Sequence, residues 1–274
     1  MYLGIDVGGT KTLVATLDDN GVITDKQKFP TPQIYEDFLA ELKTILSQKN
    51  NEDYRAVGIG IPVTNFYREE GIARTFSNLN WRDVHIQHDV EQLTKTPVAV
   101  ENDAKLAGLS ESRLRPDIER LLYVTLSTGI GYSLINNGKI DPNIGDAGGR
   151  LLMLEYKGKL TPWEEFASGR AIVNIYGKMA KDITDEKTWD SIARKISLGL
   201  IELIAVAEPD LIVIGGSVGT YFDRYAEPIN KYMQAYETPL LKMPPVEAAK
   251  RPEEAVIYGC YDYAIQVFGV LNAA

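Results

Sequence analysis

Cysteine is almost missing from this chain: Cys260 is the single one among 274 residues, which excludes an internal disulfide. Histidine is nearly as scarce. With only His85 and His88, no Cys/His set exists for a tetrahedral zinc site, and the pair, one helical turn apart without a third ligand, reads as surface histidines. No apolar run reaches the roughly 20 residues that a membrane-spanning helix needs. The start, Met1-Tyr2-Leu3-Gly4, enters a strand without a charged leader or cleavage site, so the expected compartment is the cytoplasm. Basic clusters are lacking as well. Acidic residues number 38 against 29 basic ones, a net charge of −9, which disfavours a nucleic-acid partner. A Walker loop is also missing, since no Gly-Lys-Ser/Thr occurs and no helical pattern follows the first glycine pair.

What the chain has is enough apolar residue, 45%, for two cores, and its length is where one core divides into two lobes. The opening run Tyr2 to Ile5 leads into Asp6-Val7-Gly8-Gly9-Thr10-Lys11-Thr12 before apolar character resumes at Leu13. This predicts strand, phosphate-sized turn, strand. Gly8 and Gly9 lack a β-carbon, so the backbone there is free to take positive φ and to present amides to anionic oxygens. Thr10 and Thr12 add hydroxyls, Lys11 a charge, and Asp6 a carboxylate able to hold the water shell of a magnesium ion. A plain hairpin explains the same residues equally well.

A strand from Val22, a helix over Tyr35 to Gln48, and buried strands at Ala56 to Ile61 and Val98 to Val100 follow. A helix is expected from Ala104, and the proline-broken Arg113-Leu114-Arg115-Pro116-Asp117 marks a lobe boundary, giving lobes 1–115 and 116–259. The second half echoes the first: the run Leu121 to Leu126, the turn Ser127-Thr128-Gly129-Ile130-Gly131, another strand, and an Asn136-Asn137-Gly138 turn. That is the pattern of a duplicated nucleotide clamp. Periodicity predicts helices over Trp163 to Met179, Trp189 to Ala207, Tyr221 to Tyr236 and Glu254 to Gly269. The apolar strand Leu211 to Ile214 ends in Gly215-Gly216, where α/β folds place ligands.

Three glycine turns with hydroxyl residues gathered beside them favour a bound nucleotide. Asp103, after a buried strand, is the candidate base that accepts a hydroxyl proton as that oxygen attacks phosphorus. Asn102 offers a donor and an acceptor to a hydroxyl-rich substrate, and Glu101 alternates to the other face. Helix capping by Asn102-Asp103 is the competing reading of those two residues. Trp81 is open between a sugar platform and packing.

These residues resemble the ROK family of sugar kinases and repressors, within the actin-like, ribonuclease-H-like ATPase superfamily. The matching segments are Asp6 to Thr12, Gly60-Ile61-Pro62, Asn78-Leu79-Asn80-Trp81, Glu101-Asn102-Asp103-Ala104, Thr125 to Gly131, and Pro209 to Gly216. The resemblance implies a two-lobed α/β fold with a duplicated mixed-sheet core, whose C-terminal helix, about 260–274, packs back on the first lobe. It implies ATP- and magnesium-dependent phosphorylation of a hexose 6-hydroxyl, the lobes closing over both substrates in a homodimer. Asp103 becomes the base, and Asn78, Asn102, Asp146 and Glu164 the sugar ligands. The nucleotide set is Asp6, Gly8, Gly9, Thr10, Lys11, Thr12, Thr128, Gly129, Gly131, Gly215 and Gly216, with Asp6 at the magnesium.

Departures from the pattern fall at the sugar end. Where the family carries Glu-x-Gly-His, this chain has Asp146-Ala147-Gly148-Gly149, and Tyr156 to Pro162 replaces the cysteine-rich zinc loop, so no zinc is expected. Val63 replaces the final glycine of the Gly-Ile-Pro-Gly turn. No DNA-binding segment precedes residue 2, which points to the kinase branch. The alternatives are a regulatory protein that binds ATP or sugar without turnover, and an ATPase of the actin or chaperone kind.

Overall fold

The computed structural model describes residues 1–49, 53–251 and 253–269. In chain order it runs β1 (Tyr2–Val7), β2 (Lys11–Leu17), β3 (Ile23–Pro30), α1 (Tyr35–Ser47), β4 (Ala56–Ile61), β5 (Val63–Tyr67), β6 (Ile72–Phe76) and β7 (Arg82–Val84). Next come α2 (Ile86–Thr94), β8 (Val98–Asn102), α3 (Asp103–Arg113), β9 (Arg120–Leu126), β10 (Ile130–Asn136), β11 (Lys139–Ile140), β12 (Met153–Tyr156) and β13 (Lys159–Pro162). The chain continues through α4 (Trp163–Ala167), α5 (Gly169–Tyr176), α6 (Glu186–Ala207), β14 (Leu211–Gly215), α7 (Gly216–Gly219), α8 (Ala226–Gln234), β15 (Val246–Ala248) and α9 (Ala255–Phe268). It divides into two compact units, Met1–Ser110 with Glu254–Ala274, and Glu111–Glu253.

The first unit is built on a sheet of order β3-β2-β1-β4-β8, and the second on β11-β10-β9-β14-β15. In each, the first three strands pair antiparallel and the last three parallel. Two sheets of the same order and the same direction pattern are the duplicated mixed-sheet core. The parallel strands β4 and β14 are buried along their whole length, as expected where both faces of a sheet are covered. Their near-continuous apolar runs follow from that burial.

Helix α9 lies on β1 and β4 so closely that side chains are excluded. A β-carbon at Gly58 would sit 2.1 Å from the Cys260 carbonyl oxygen, and one at Gly259 2.0 Å from that of Leu106. The first unit thus takes its last helix from the far end of the sequence. In the second unit, α6 starts at Asp185, whose carboxylate accepts from the Thr188 amide at 2.9 Å, and ends at Glu208 in the left-handed region. Pro209 then prevents the helix from continuing. Its buried stripe includes Trp189, Ile192, Ile196, Leu200 and Leu203, the spacing of one helical face. Gly199 leaves room for the Trp163 indole, which a β-carbon there would meet at 2.1 Å.

Two expected helices are broken. Trp163 to Met179 splits at Ser168, whose extended backbone ends α4 and whose hydroxyl caps α5 by accepting from the Ala171 amide. Left-handed Gly177 ends α5. Tyr221 to Tyr236 opens as a 3-10 turn, Phe222–Arg224, before α8. The charged stretch after α3 is anchored at one residue. Arg115 is buried, its guanidinium donating at 2.6 Å to Glu111 and at 3.0 Å to Glu247, while Glu111 also accepts from the amides of Lys250 and Arg251. Every donor around that buried carboxylate is therefore a neighbour within its own unit, the condition under which a buried charge is tolerated.

No helix among the described residues is long and apolar enough to cross a membrane. Gly58→Ala tests the α9 contact: overpacking against backbone is expected to cost about 1–3 kcal/mol, lowering the thermal midpoint by roughly 2–9 °C, readable by circular dichroism.

Candidate functional site

In the first unit the parallel strands bring their carboxyl ends together. Asp6 pairs in register with Gly60, and Ile61 with Asn102, so Asp6, Asn102 and Asp103 emerge on one edge, as ligand-binding residues do in α/β sheets. Burial and the negative field of Asp103 push the Asp6 carboxyl up to about 7, against a lowering contribution from Lys28. Burial raises Asp103 to about 6, against hydrogen bonds from backbone amides. Two carboxyls so placed hold a proton, or a cation, near neutrality.

Gly8 and Gly9 do not take positive φ. What they supply is space: a β-carbon at Gly8 would meet the Lys11 carbonyl oxygen at 2.7 Å, and one at Gly9 would meet Asn78 Cβ at 2.5 Å. The Gly8 amide donates to the Lys11 carbonyl at 3.0 Å, and the turn is closed tightly. Thr10, Lys11 and Asn78 are exposed around it. Thr12 is not: its hydroxyl is fully buried against Thr31 at 2.9 Å, and Thr31 in turn donates to the Gly8 carbonyl at 2.8 Å. Thr12 therefore braces the loop from beneath, because the strand alternation that exposes Lys11 turns Thr12 inward. Thr31 went unnoticed in the sequence, where nothing sets it apart.

Asn102 is buried and already employed. Its amide donates to the Val63 carbonyl at 2.9 Å, and its oxygen accepts from Ala104 at 2.9 Å and Lys105 at 3.2 Å, while Asp103 also accepts from Ala104 at 2.8 Å. Capping and ligand binding are thus not exclusive here, since one amide hydrogen of Asn102 has no partner among the described residues. Glu101 is only 2% exposed and is gripped by both arms of Arg68 at 2.7 Å. That pair fixes the strand end from which Asn102 and Asp103 project. The Trp81 question resolves to packing: its ring is 2% exposed, lies 4.7 Å from Phe38, and donates to the Pro32 carbonyl.

In the second unit the turns after β9 and β14 are neighbours, because Gly215 pairs in register with Thr125. Gly216 has φ +81°, and a β-carbon there would lie 2.6 Å from both the Leu126 carbonyl oxygen and Thr125 Oγ1. Thr128 is exposed, and Gly129 is half-buried. Gly131 lies inside β10 beside Gly148, whose β-carbon would stand 3.4 Å from Gly131 Cα. The Ser127 carbonyl accepts from the Gly169 amide at 2.7 Å, so the start of α5 pins this turn.

Glu164, on α4, accepts from the Ile130 amide at 3.0 Å and from Arg150 Nε at 3.2 Å. A β-carbon at Gly129 would collide with its carboxylate at 2.4 Å, so glycine there makes room for Glu164. Asp146 is half-buried in the loop between β11 and β12. That loop is cinched onto β10: β-carbons at Gly145 and Gly148, both at positive φ, would strike the Tyr132 and Ile130 carbonyl oxygens at 1.9 and 2.3 Å. At Gly149 a β-carbon would meet Ile130 Cβ at 2.9 Å. Arg150, missed in the sequence, is the one new charge beside Glu164. His85 and His88 are exposed, and in place of the zinc loop Tyr156 to Lys159 forms a hairpin turn with Lys157 and Gly158 left-handed.

A family model described as the ROK family matches residues 2–267. The chain belongs to the ROK family. It is 28% identical to a glucokinase of Halalkalibacterium halodurans, with 87% of this chain and 86% of that protein covered. It is 27% identical to an N-acetyl-D-glucosamine kinase of Haemophilus influenzae, covering 94% and 97%. Among solved structures, a ROK family protein from Streptococcus pneumoniae in complex with sucrose superposes with TM-score 0.82 at 25% identity, covering 98% and 99%. A ROK family glucokinase from Streptomyces griseus, in complex with glucose and AMPPNP, superposes at 0.81 and 24% identity over 97% and 99%, a likeness of fold. The architecture is that of ROK kinases, the actin-like ATPase fold.

The carboxyl pair makes stability depend on pH. A folded Asp6 that titrates near 7, against 3.8 for its ordinary value, keeps its proton between about pH 4 and 7 where the unfolded chain has released it. Stability contributed by that proton is present at low pH and lost as pH rises through 7. In magnesium-free buffer Asp6→Asn is therefore expected to match the parent near pH 4 and to exceed its thermal midpoint by several degrees at pH 8. An equal gap at both pH values in differential scanning calorimetry would contradict the assignment.

Proposed function

We propose that this chain transfers the γ-phosphoryl group of ATP to the 6-hydroxyl of a hexose or hexose derivative, with Asp103 as the general base. That it is an ATP-dependent sugar kinase is supported by family membership and by kinase relatives matched over most of their length. The observation that carries the base assignment is the position of Asp103: at the carboxyl end of β8, in the field of Asp6, with its proton affinity raised to about 6. A carboxylate so tuned is half in its basic form near pH 6 and accepts a proton better than an ordinary aspartate does.

The residues fit a nucleotide and its metal. A turn in which Gly9 presses on Asn78 and a second in which Gly216 takes φ +81° offer backbone amides without side chains, the arrangement that anionic oxygens need. Two neighbouring carboxyls, both with raised proton affinity, invite a divalent cation in the proton's place. We assign Gly8, Gly9, Thr10, Lys11, Thr128, Gly129, Gly131, Gly215 and Gly216 to ATP, with Thr12 bracing the first turn, and Asp6 to magnesium. The metal, when bound, neutralises charge on the phosphoryl oxygens. Asn78, Asn102, Asp146 and Glu164 are assigned to the sugar. Within these roles Asp103 takes the hydroxyl proton, Asn102 aligns the helix that carries it, and Arg150 with the Ile130 amide orients Glu164. A homodimer and a cytoplasmic setting complete the reading.

A sensor without turnover is the second reading, favoured by the changed Asp146 and Gly149 and by the engagement of Glu164 with Arg150. A panel of hexoses and amino sugars assayed for ADP release separates the two; silence across the panel with intact ATP binding supports the sensor. On the kinase reading, Asp103→Asn lowers kcat by about 10²–10⁴-fold while ATP affinity holds. For the parent, log kcat/KM is expected to climb as pH rises through about 6 and then level off. A profile flat from pH 5 to 8 would sink the base assignment.

A further inference from the structure

The second unit holds a cation that the kinase reading does not use. Lys195, on the buried side of α6, is 9% exposed. Its ammonium donates to the Tyr176 hydroxyl at 2.6 Å, to Ser191 Oγ at 2.8 Å and to the Ser191 carbonyl at 3.2 Å, and lies 5.0 Å from the Tyr176 ring. All of these partners are neutral, and no carboxylate lies within ion-pair distance of Lys195 among the described residues. Buried charges are ordinarily paired, because desolvation is costly and dipoles compensate it only in part.

Lys195 also lines a cavity of about 450 Å³ between α6, the β12–β13 hairpin and α8. Arg194 from α6 and Lys157 from the hairpin also line it, and the one acid in the lining, Glu155, is exposed. Ser191 and Tyr232 add hydroxyls, and the Tyr232 hydroxyl already donates to Asp190 at 2.7 Å. Three cations line the cavity with one carboxylate, and Asp190 reaches it through the Tyr232 hydroxyl, so an excess of positive charge is left, with one of the cations buried. Its volume exceeds that of an inorganic anion and lies in the range of small-molecule sites.

We propose that this cavity is a binding site for a small phosphate-bearing anion, held by Arg194 and by Lys195, whose ammonium exchanges one of its three neutral acceptors for a phosphate oxygen, and separate from the residues assigned to ATP and sugar. Ammonium and guanidinium groups beside hydroxyl donors are the usual partners of phosphate oxygens. The Lys195 carbonyl also accepts from the Trp163 indole at 3.1 Å, and Trp163 immediately precedes Glu164.

Calorimetric titration of inorganic phosphate and of glucose 6-phosphate into the parent, Lys195→Met and Arg194→Gln at low salt tests this. The parent is expected to bind one equivalent of at least one probe with an affinity that falls tenfold or more in Lys195→Met. Tighter binding of the ester assigns the site to a phosphomonoester, and equal binding to free phosphate. Anion held at the glycine turns would survive the Lys195 change, so equal affinity in parent and Lys195→Met overturns the proposal, as does absence of saturable binding to the parent. Arg194 is exposed and its change spares the core. Arg194→Gln is expected to weaken the same binding about threefold and to flatten its salt dependence, and unaltered binding there overturns the proposal should Lys195→Met fail to fold.

Discussion

Two half-buried carboxyl groups, one in the field of the other, are the constraint on which the first unit turns. Asp6 lies in β1 and Asp103 opens α3 directly after β8, and β1 and β8 are separated in the sheet by β4, so the sheet order itself sets their proximity. Their ionised forms are disfavoured there: desolvation opposes both, the field of Asp103 adds to the cost at Asp6, and backbone amides at Asp103 and the Lys28 charge at Asp6 offset it only in part. The surrounding structure compensates through elements that carry no chemistry. The Arg68–Glu101 pair, the Asn102 cap and the pressed contact of α9 against Gly58 each hold a strand end or helix start in place. A site held at such expense is the pattern expected where function rather than stability selects residues.

Much of this was legible from residues alone, for identifiable reasons. Parallel strands buried on both faces read as unbroken apolar runs, so β4 and β14 stood out, and the glycine turns that follow β1, β9 and β14 are strong local punctuation. The duplicated sheet order was foreshadowed by two similar hairpins. Helices α1 and α6 carry an apolar stripe over enough turns to show their period. Where the period ran through a capping residue the reading failed, as at Ser168, since a hydroxyl that accepts from the third amide onward ends one helix and begins another without interrupting the apolar pattern. The short strands β5, β6 and β7 gave no signal of their own.

At the candidate site the limits were of another kind. Strand alternation places Thr12 inward and Lys11 outward, but the purpose of Thr12, a hydroxyl laid against Thr31 beneath the turn, depends on a residue from β3's far end. Arg150 and Arg68 are ordinary surface residue types, and only tertiary structure brings their guanidinium groups onto Glu164 and Glu101. The glycines were read correctly as necessary and incorrectly as to the reason at Gly8 and Gly9, where crowding by Lys11 and Asn78 rather than backbone handedness excludes a side chain.

The loop from Gly145 to Gly149 bears on how this chain can change over time. Its backbone lies so close to β10 that a side chain at 149 has no place until Ile130 gives way, and positions 145 and 148 hold conformations that disfavour other residues. Placing an imidazole here is therefore not a one-step change: the substitution would strain the loop and displace Ile130 before any new contact formed.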